Sequence, residues 1–171
     1  MSPYKNYENG SWLRIRRLPF MIALAMEGAG RSGIFGMASE RSAMAGGLCA
    51  GPKDFPDNLL IHTIIPFKGS KQELILHTSE VHDEILDCLA DLGIADHAGL
   101  VGYIYKIIPG VLSDLKAGET PETLKEYKAW ILKMAMAVAN AGKEGGFMGF
   151  GGEYFSEEER DIYSRLQELF S

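Results

Sequence analysis

Residues 28–33 read Gly-Ala-Gly-Arg-Ser-Gly, the G-x-G-x-x-G spacing with which a tight turn brings backbone N–H groups onto a pyrophosphate. That chemistry also needs a strand before the turn, a helix after it, and an acid about 20 residues on to hold a ribose. Asp54 stands at a tolerable distance. The run before the turn uses Met and Ala rather than Val and Ile, however, and Gly36, Gly46 and Gly47 follow before any long helix. The segment also lacks the Gly-Lys-Ser/Thr ending of a P-loop. Nucleotide binding through Gly28, Gly30 and Gly33 is therefore a secondary reading.

A second group of chemistry-bearing residues is His77-Thr-Ser-Glu80-Val-His82-Asp83-Glu84, with Glu73 just upstream. These donors suit a transition metal, and a metal-dependent enzyme built on the 73–84 cluster is the other alternative. On a helix, Glu80 shares a face with Glu84 and Glu73 with His77, whereas the two histidines, five apart, do not meet. A solvated helix face explains the same residues. His62 and His97 stand away from any cysteine or serine motif, and neither G-x-S-x-G nor H-E-x-x-H occurs. No catalytic set is assigned, and the expectation is a protein that acts by binding.

The elements that must carry these residues read as helices. A chain of 171 residues fits one domain able to bury roughly two thirds of its unfolded surface. Val81, Ile85, Leu86, Leu89 and Leu92 give a helical period ending near Gly93. Val101, Ile104, Tyr105 and Ile108 predict a second helix closed by Pro109-Gly110, followed by a separate short segment, VLSDLKAG. Thr120-Pro121-Glu122 is an N-cap with proline at the first helical position, opening a run through Trp130, Ile131, Met134 and Val138. Ser156 to Glu159 is a capping box ahead of a stripe of Ile162, Tyr163, Leu166, Leu169 and Phe170. Ser70 to Glu73 is another, although the following ELILHT would also serve as a strand. Residues 12–26 favour helix, with Pro19 either kinking it or marking a first turn. The expectation is an all-α domain over residues 1–171 with six or seven helices.

Charge and composition narrow the partners. With 23 acidic and 17 basic residues the net charge is −6, against a broad footprint on nucleic acid or anionic lipid. The longest stretch without a charged side chain, residues 42–52, is too short and glycine-rich to span a membrane. The N-terminal MSPYKNYENGSWLRIRR lacks the order of a secretory signal, and Cys49 and Cys88 form no C-x-x-C spacing and read as reduced. A cytoplasmic protein is expected, with a protein partner or a second copy of itself rather than nucleic acid.

Two segments repeat. AMEGAGRSGIF at 25–35 aligns without a gap on AVANAGKEGGF at 137–147, both reading Ala-x-x-x-Ala-Gly-(Lys/Arg)-x-Gly-x-Phe. Trp12 and Trp130 lie upstream, and Ser39-Glu40-Arg41 and Ser156-Glu157 to Arg160 lie downstream. Each copy reads as an alanine-rich helix, a glycine loop and a serine-capped helix, a unit unable to bury its apolar face alone. The expectation is two pseudo-symmetric helix–loop–helix repeats, about 12–45 and 121–171, joined by helices in 57–120, with the chain ends as spatial neighbours. Arg31 and Lys143 would serve helix C-terminal carbonyls or an anion. Phe147, Met148 and Phe150, among glycines, would either cap the core or offer a partner surface.

The runs MAMAVANAGKEGG…YFSEEERDIYSRLQELF and FMIALAMEGAG…MASERSAM are similar to the two halves of the tellurite-resistance TerB family. The resemblance covers about the first 45 and last 50 residues in order and topology. It implies a duplicated all-helical fold, association with stress-response systems, and an acidic divalent-metal site. Carried over residue by residue, the family's acidic positions fall on Glu27, Glu40, Glu157 and Glu158, with Glu144 and Glu153 able to assist. The chain departs from the family at Ala141-Gly142, where no acid stands, and both of its loops are longer and richer in glycine. A hard cation such as Ca²⁺ wants six or more oxygens, and acids at a helix start are also explained by the helix dipole.

Overall fold

Seven helices account for the described residues of the computed structural model, which are 7–29, 40–66, 70–141 and 156–171, with backbone alone for 40–45, 71 and 141. They are α1 (Asn9–Gly28), α2 (Glu40–Asp54), α3 (Leu59–Ile64), α4 (Lys71–Asp91), α5 (His97–Gly118), α6 (Pro121–Ala141) and α7 (Glu157–Phe170). No strand occurs among them, and no described helix is long and apolar enough to cross a membrane. The all-α expectation holds.

The helix boundaries follow from local chemistry. At α7 the Ser156 hydroxyl accepts from the Glu159 N–H at 3.2 Å, and the Glu159 carboxylate accepts from the Ser156 N–H at 2.6 Å. Asn58, Ser70 and Asp96 each accept from an N–H in the first turn of α3, α4 and α5. α4 closes at Gly93, whose φ of +70° suits a residue without Cβ. There Gly93 N–H donates to Ala90 and Ile94 N–H to Leu89, the paired bonds of a Schellman ending.

The helix expected behind the Ser70 cap forms, which removes the strand alternative, and one expectation, the end of α5, is corrected. ELILHT lies within α4 and is helical, because Leu74, Val81, Ile85 and Leu89 bury one continuous stripe. α5 does not stop at Pro109-Gly110 but runs through VLSDLKAG to Gly118. Pro109 removes one hydrogen bond on the exposed side, while Ile104, Ile108, Val111 and Leu115 continue a buried stripe past it, and that packing outweighs the lost bond.

α1 likewise continues through Pro19, which resolves the choice between a kink and a first turn: the proline is interior. Proline has no N–H, so the carbonyl of Ile15, four residues earlier, lacks its partner within the helix. The hydroxyl of Tyr127 on α6 donates to that carbonyl at 2.9 Å. Tyr127 is fully buried, and burial pushes its phenol well above the ordinary value, so it stays a donor.

The core lies where α1 and α6 run side by side. α5 packs on α1, and α4 crosses α1, where Arg16 and Arg17 both engage the carboxylate of Glu84. α2 lies on α6 through its glycines. A Cβ on Gly47 would touch Met134 and Val138, and one on Gly51 would overlap the indole of Trp130. The neighbourhood expected of the chain ends is present in the α1–α6 and α2–α6 contacts. The two copies are not paired equivalently, since α2 lies mainly on α6 whereas the principal neighbours of α7 are α6 and α5.

Candidate functional site at the bundle end

Specific contacts fix the direction of each helix. Tyr7 donates to Glu119 and Arg14 pairs with Asp114, while Ala25 lies against His97, so α1 and α5 are antiparallel. α6 follows α5 after the two-residue connection 119–120, and its Tyr127 meets Ile15, so α6 runs parallel to α1. Gly47 lies against Met134 and Val138 and Gly51 against Trp130, which makes α2 antiparallel to α6. Glu158 reaches His97, which sets the start of α7 beside the start of α5. The C-termini of α1 and α6 and the N-termini of α2, α5 and α7 therefore meet at one end of the bundle. The described residues that flank both glycine-rich segments, Ala29 and Glu40 and then Ala141 and Ser156, lie at this end.

At its centre stands His97, the first residue of α5. Its Nε2 lies 2.8 Å from the carbonyl of Ala25, and its Nδ1 lies 3.0 Å from a carboxylate oxygen of Glu158. Both ring nitrogens thus face acceptors, and the ring donates to both only when both carry hydrogen. The ring also lies against Gly28, where a Cβ would come within 2.8 Å of Cδ2. One imidazole therefore joins α1, α5 and α7. His97 has no sequence signature beyond its place after the Asp96 cap, and sequence reasoning left it isolated. Its partners are 72 and 61 positions away, so no local spacing reveals it.

The four acids marked by the family resemblance all stand on helix ends that meet here. Glu27 is half-buried in the last turn of α1, and Glu157 and Glu158 are exposed in the first turn of α7. Glu40 opens α2, with its side chain outside the described residues. Among the described residues, no group of three or more His, Cys, Asp or Glu is placed to hold a metal ion. Glu159, the third acid of the run, is buried in the capping box. Glu144 and Glu153, together with Arg31, Lys143, Phe147, Met148 and Phe150, lie outside the described residues.

The 73–84 cluster is dispersed by packing. His77 Nε2 lies 3.0 Å from the Ile64 carbonyl at the end of α3, and its ring stands edge-on to Phe20 at 6.1 Å. His82 is buried, Glu80 and Asp83 are exposed, and Glu84 serves the two arginines of α1. His62 is half-buried on α3. The G-x-G-x-x-G segment is preceded by helix α1 rather than the strand it needs, and beyond Ala29 it lies outside the described residues. Cys49 and Cys88 are both free thiols. A comparison with known protein families, with curated proteins and with solved structures gives no match to this chain.

Proposed function

We propose that the chain is a non-catalytic, TerB-like helical binding protein of the stress-response kind. Its recognising surface is the bundle end around His97, with a divalent cation as small ligand and a protein partner or second copy as macromolecular one. The observation that carries this reading is the meeting of five helix ends there. Residues far apart in sequence, Glu27 on α1, the start of α2 at Glu40, and Glu157 and Glu158 on α7, are brought to one end of the fold. Three of those ends are helix N-termini, which favour carboxylates beside them, and Glu157 and Glu158 stand exposed in the first turn of α7.

A cation that took Glu158 as a ligand would compete with His97 for the same oxygen. Calorimetric titration with Ca²⁺, Mg²⁺, Mn²⁺ and Zn²⁺, with thermal unfolding alongside, tests the metal part. Binding that weakens in Glu40→Gln and Glu157→Gln and strengthens in His97→Ala is the expected result. No heat and no thermal shift with any of the four ions removes the cation from the proposal.

A further inference from the structure

On the flank of the bundle α1, α4 and α5 line a cavity of about 200 Å³, open to solvent on one side. Its lining residues include the apolar Leu13, Met21 and Ile85 and the polar Arg14, Arg17 and Tyr103. Burial raises the phenol of Tyr103 above its ordinary range, so near neutral pH it keeps its proton and is a hydrogen-bond donor.

Among the described residues, the arginines beside this cavity share their carboxylate partners unevenly. Arg16 and Arg17 share the single carboxylate of Glu84, with Arg17 at 3.4 Å, and Arg14 reaches Asp114 also at 3.4 Å. Three guanidiniums, two of them on residues that line the cavity, thus pair with two carboxylates. The Nε–H of Arg17 is in addition buried without a hydrogen-bond partner, on a side chain only 18% exposed. A desolvated donor left unmatched costs free energy that an acceptor would recover. The Arg14 side chain is 43% exposed, which places it at the mouth. The cavity therefore combines apolar lining residues with two arginines and one unmatched buried donor, on Arg17.

We propose that this cavity binds a small monocarboxylate with an apolar body, the carboxylate taken by Arg17, Arg14 and Tyr103 and the body by Leu13, Met21 and Ile85. Size sets the class. An apolar cavity of about 150 Å³ accommodates benzene, and drug-sized ligands occupy about 300–1,000 Å³, so a single aromatic ring or a short acyl chain fits here. The geometry of a guanidinium suits a carboxylate, which two parallel N–H groups can hold at once. A bare inorganic anion would leave the apolar walls uncovered, and a neutral ring would leave the Arg17 donor unmatched.

The test is calorimetric titration of the whole chain with benzoate, benzamide and inorganic phosphate. Benzoate should bind saturably, and benzamide should bind about tenfold more weakly or worse, the factor expected when a charge-assisted hydrogen bond becomes a neutral one. Arg17→Gln should weaken benzoate by about tenfold, and Tyr103→Phe, which keeps the shape of the wall, by less. Cys88, half-buried, also lines the cavity and serves as an independent reporter. In a Cys49→Ser chain, benzoate should slow alkylation of Cys88 by iodoacetamide, and this measurement stands even should Arg17→Gln fail to fold. Equal affinity for benzoate and benzamide, displacement of benzoate by phosphate, unchanged alkylation at saturating benzoate, or no saturable heat at ~10 mM benzoate each overturns the proposal.

Discussion

Gly28→Ala should destabilise the native chain and stabilise a chain that lacks the His97 ring. Gly28 ends α1 without a positive φ, so alanine there gains up to about 1 kcal/mol of helix propensity. Against this, the new Cβ would stand 2.8 Å from His97 Cδ2, closer than real contacts allow, and the ring is tethered at both nitrogens. Displacing it loosens the bonds to the Ala25 carbonyl and to Glu158. A hydrogen bond to a charged group contributes about 1.5–3 kcal/mol, and the Glu158 side chain is 49% exposed, so solvent screening lowers the loss to about 1–2 kcal/mol. The loss exceeds the gain, and the net effect is a destabilisation of about 0.5–1 kcal/mol. In His97→Ala the obstacle is gone and only the propensity remains, so the same substitution should stabilise by about 0.5–1 kcal/mol. Urea unfolding of the four chains of this cycle, read by circular dichroism at constant m, measures the coupling. An effect of the same sign and size in both backgrounds would refute the assignment of His97 as the link between α1 and α7.

Three further outcomes follow from the core. Tyr127→Phe strands the Ile15 carbonyl and should cost about 1–3 kcal/mol, and Pro19→Ala, by restoring an N–H within α1, should reduce that cost; urea midpoints of the double cycle check it. Because burial raises the Tyr127 phenol in the folded state, the folded chain holds a proton that the unfolded one releases above its ordinary value near 10. The contribution is whole below about pH 10 and is lost as pH rises beyond it, so alkaline unfolding curves should flatten in Tyr127→Phe. Gly51→Ala, which drives a Cβ into Trp130 and Ile61, should cost about 1–3 kcal/mol, while Gly46→Ala on the same helix, with open space around it, should be neutral or mildly stabilising in thermal melts.

Those elements whose signals are local were legible in the sequence. The capping box at Ser156 and Glu159, the proline start of α6 and the glycine stop at Gly93 act within six residues, and each stands where its chemistry predicts. Prolines misled because their cost is local while its compensation is not: Pro109 reads as a stop, yet the stripe of α5 runs past it. The bundle end was half legible. The likeness of the two glycine-rich segments pointed to neighbouring chain ends, and the acids pointed to the same place. His97 was invisible because its partners come from α1 and α7, and periodicity within α5 cannot name them. The same holds for Arg17 and Tyr103, which face one cavity from helices more than 80 positions apart.

The bond from Tyr127 to Ile15 also sets an order of events during synthesis. The first helix emerges from the ribosome with an acceptor that its own turns cannot satisfy, and the donor is made 112 residues later. Until then water must serve that carbonyl, and α1 cannot be sealed into a dry interior without a penalty. The N-terminal third is therefore built to wait for its sixth helix. A long separation of this kind slows assembly relative to a bundle stitched from neighbouring hairpins. A truncated chain ending before α6 should accordingly behave as a loose helical ensemble, open to proteases, rather than as a smaller version of the same domain.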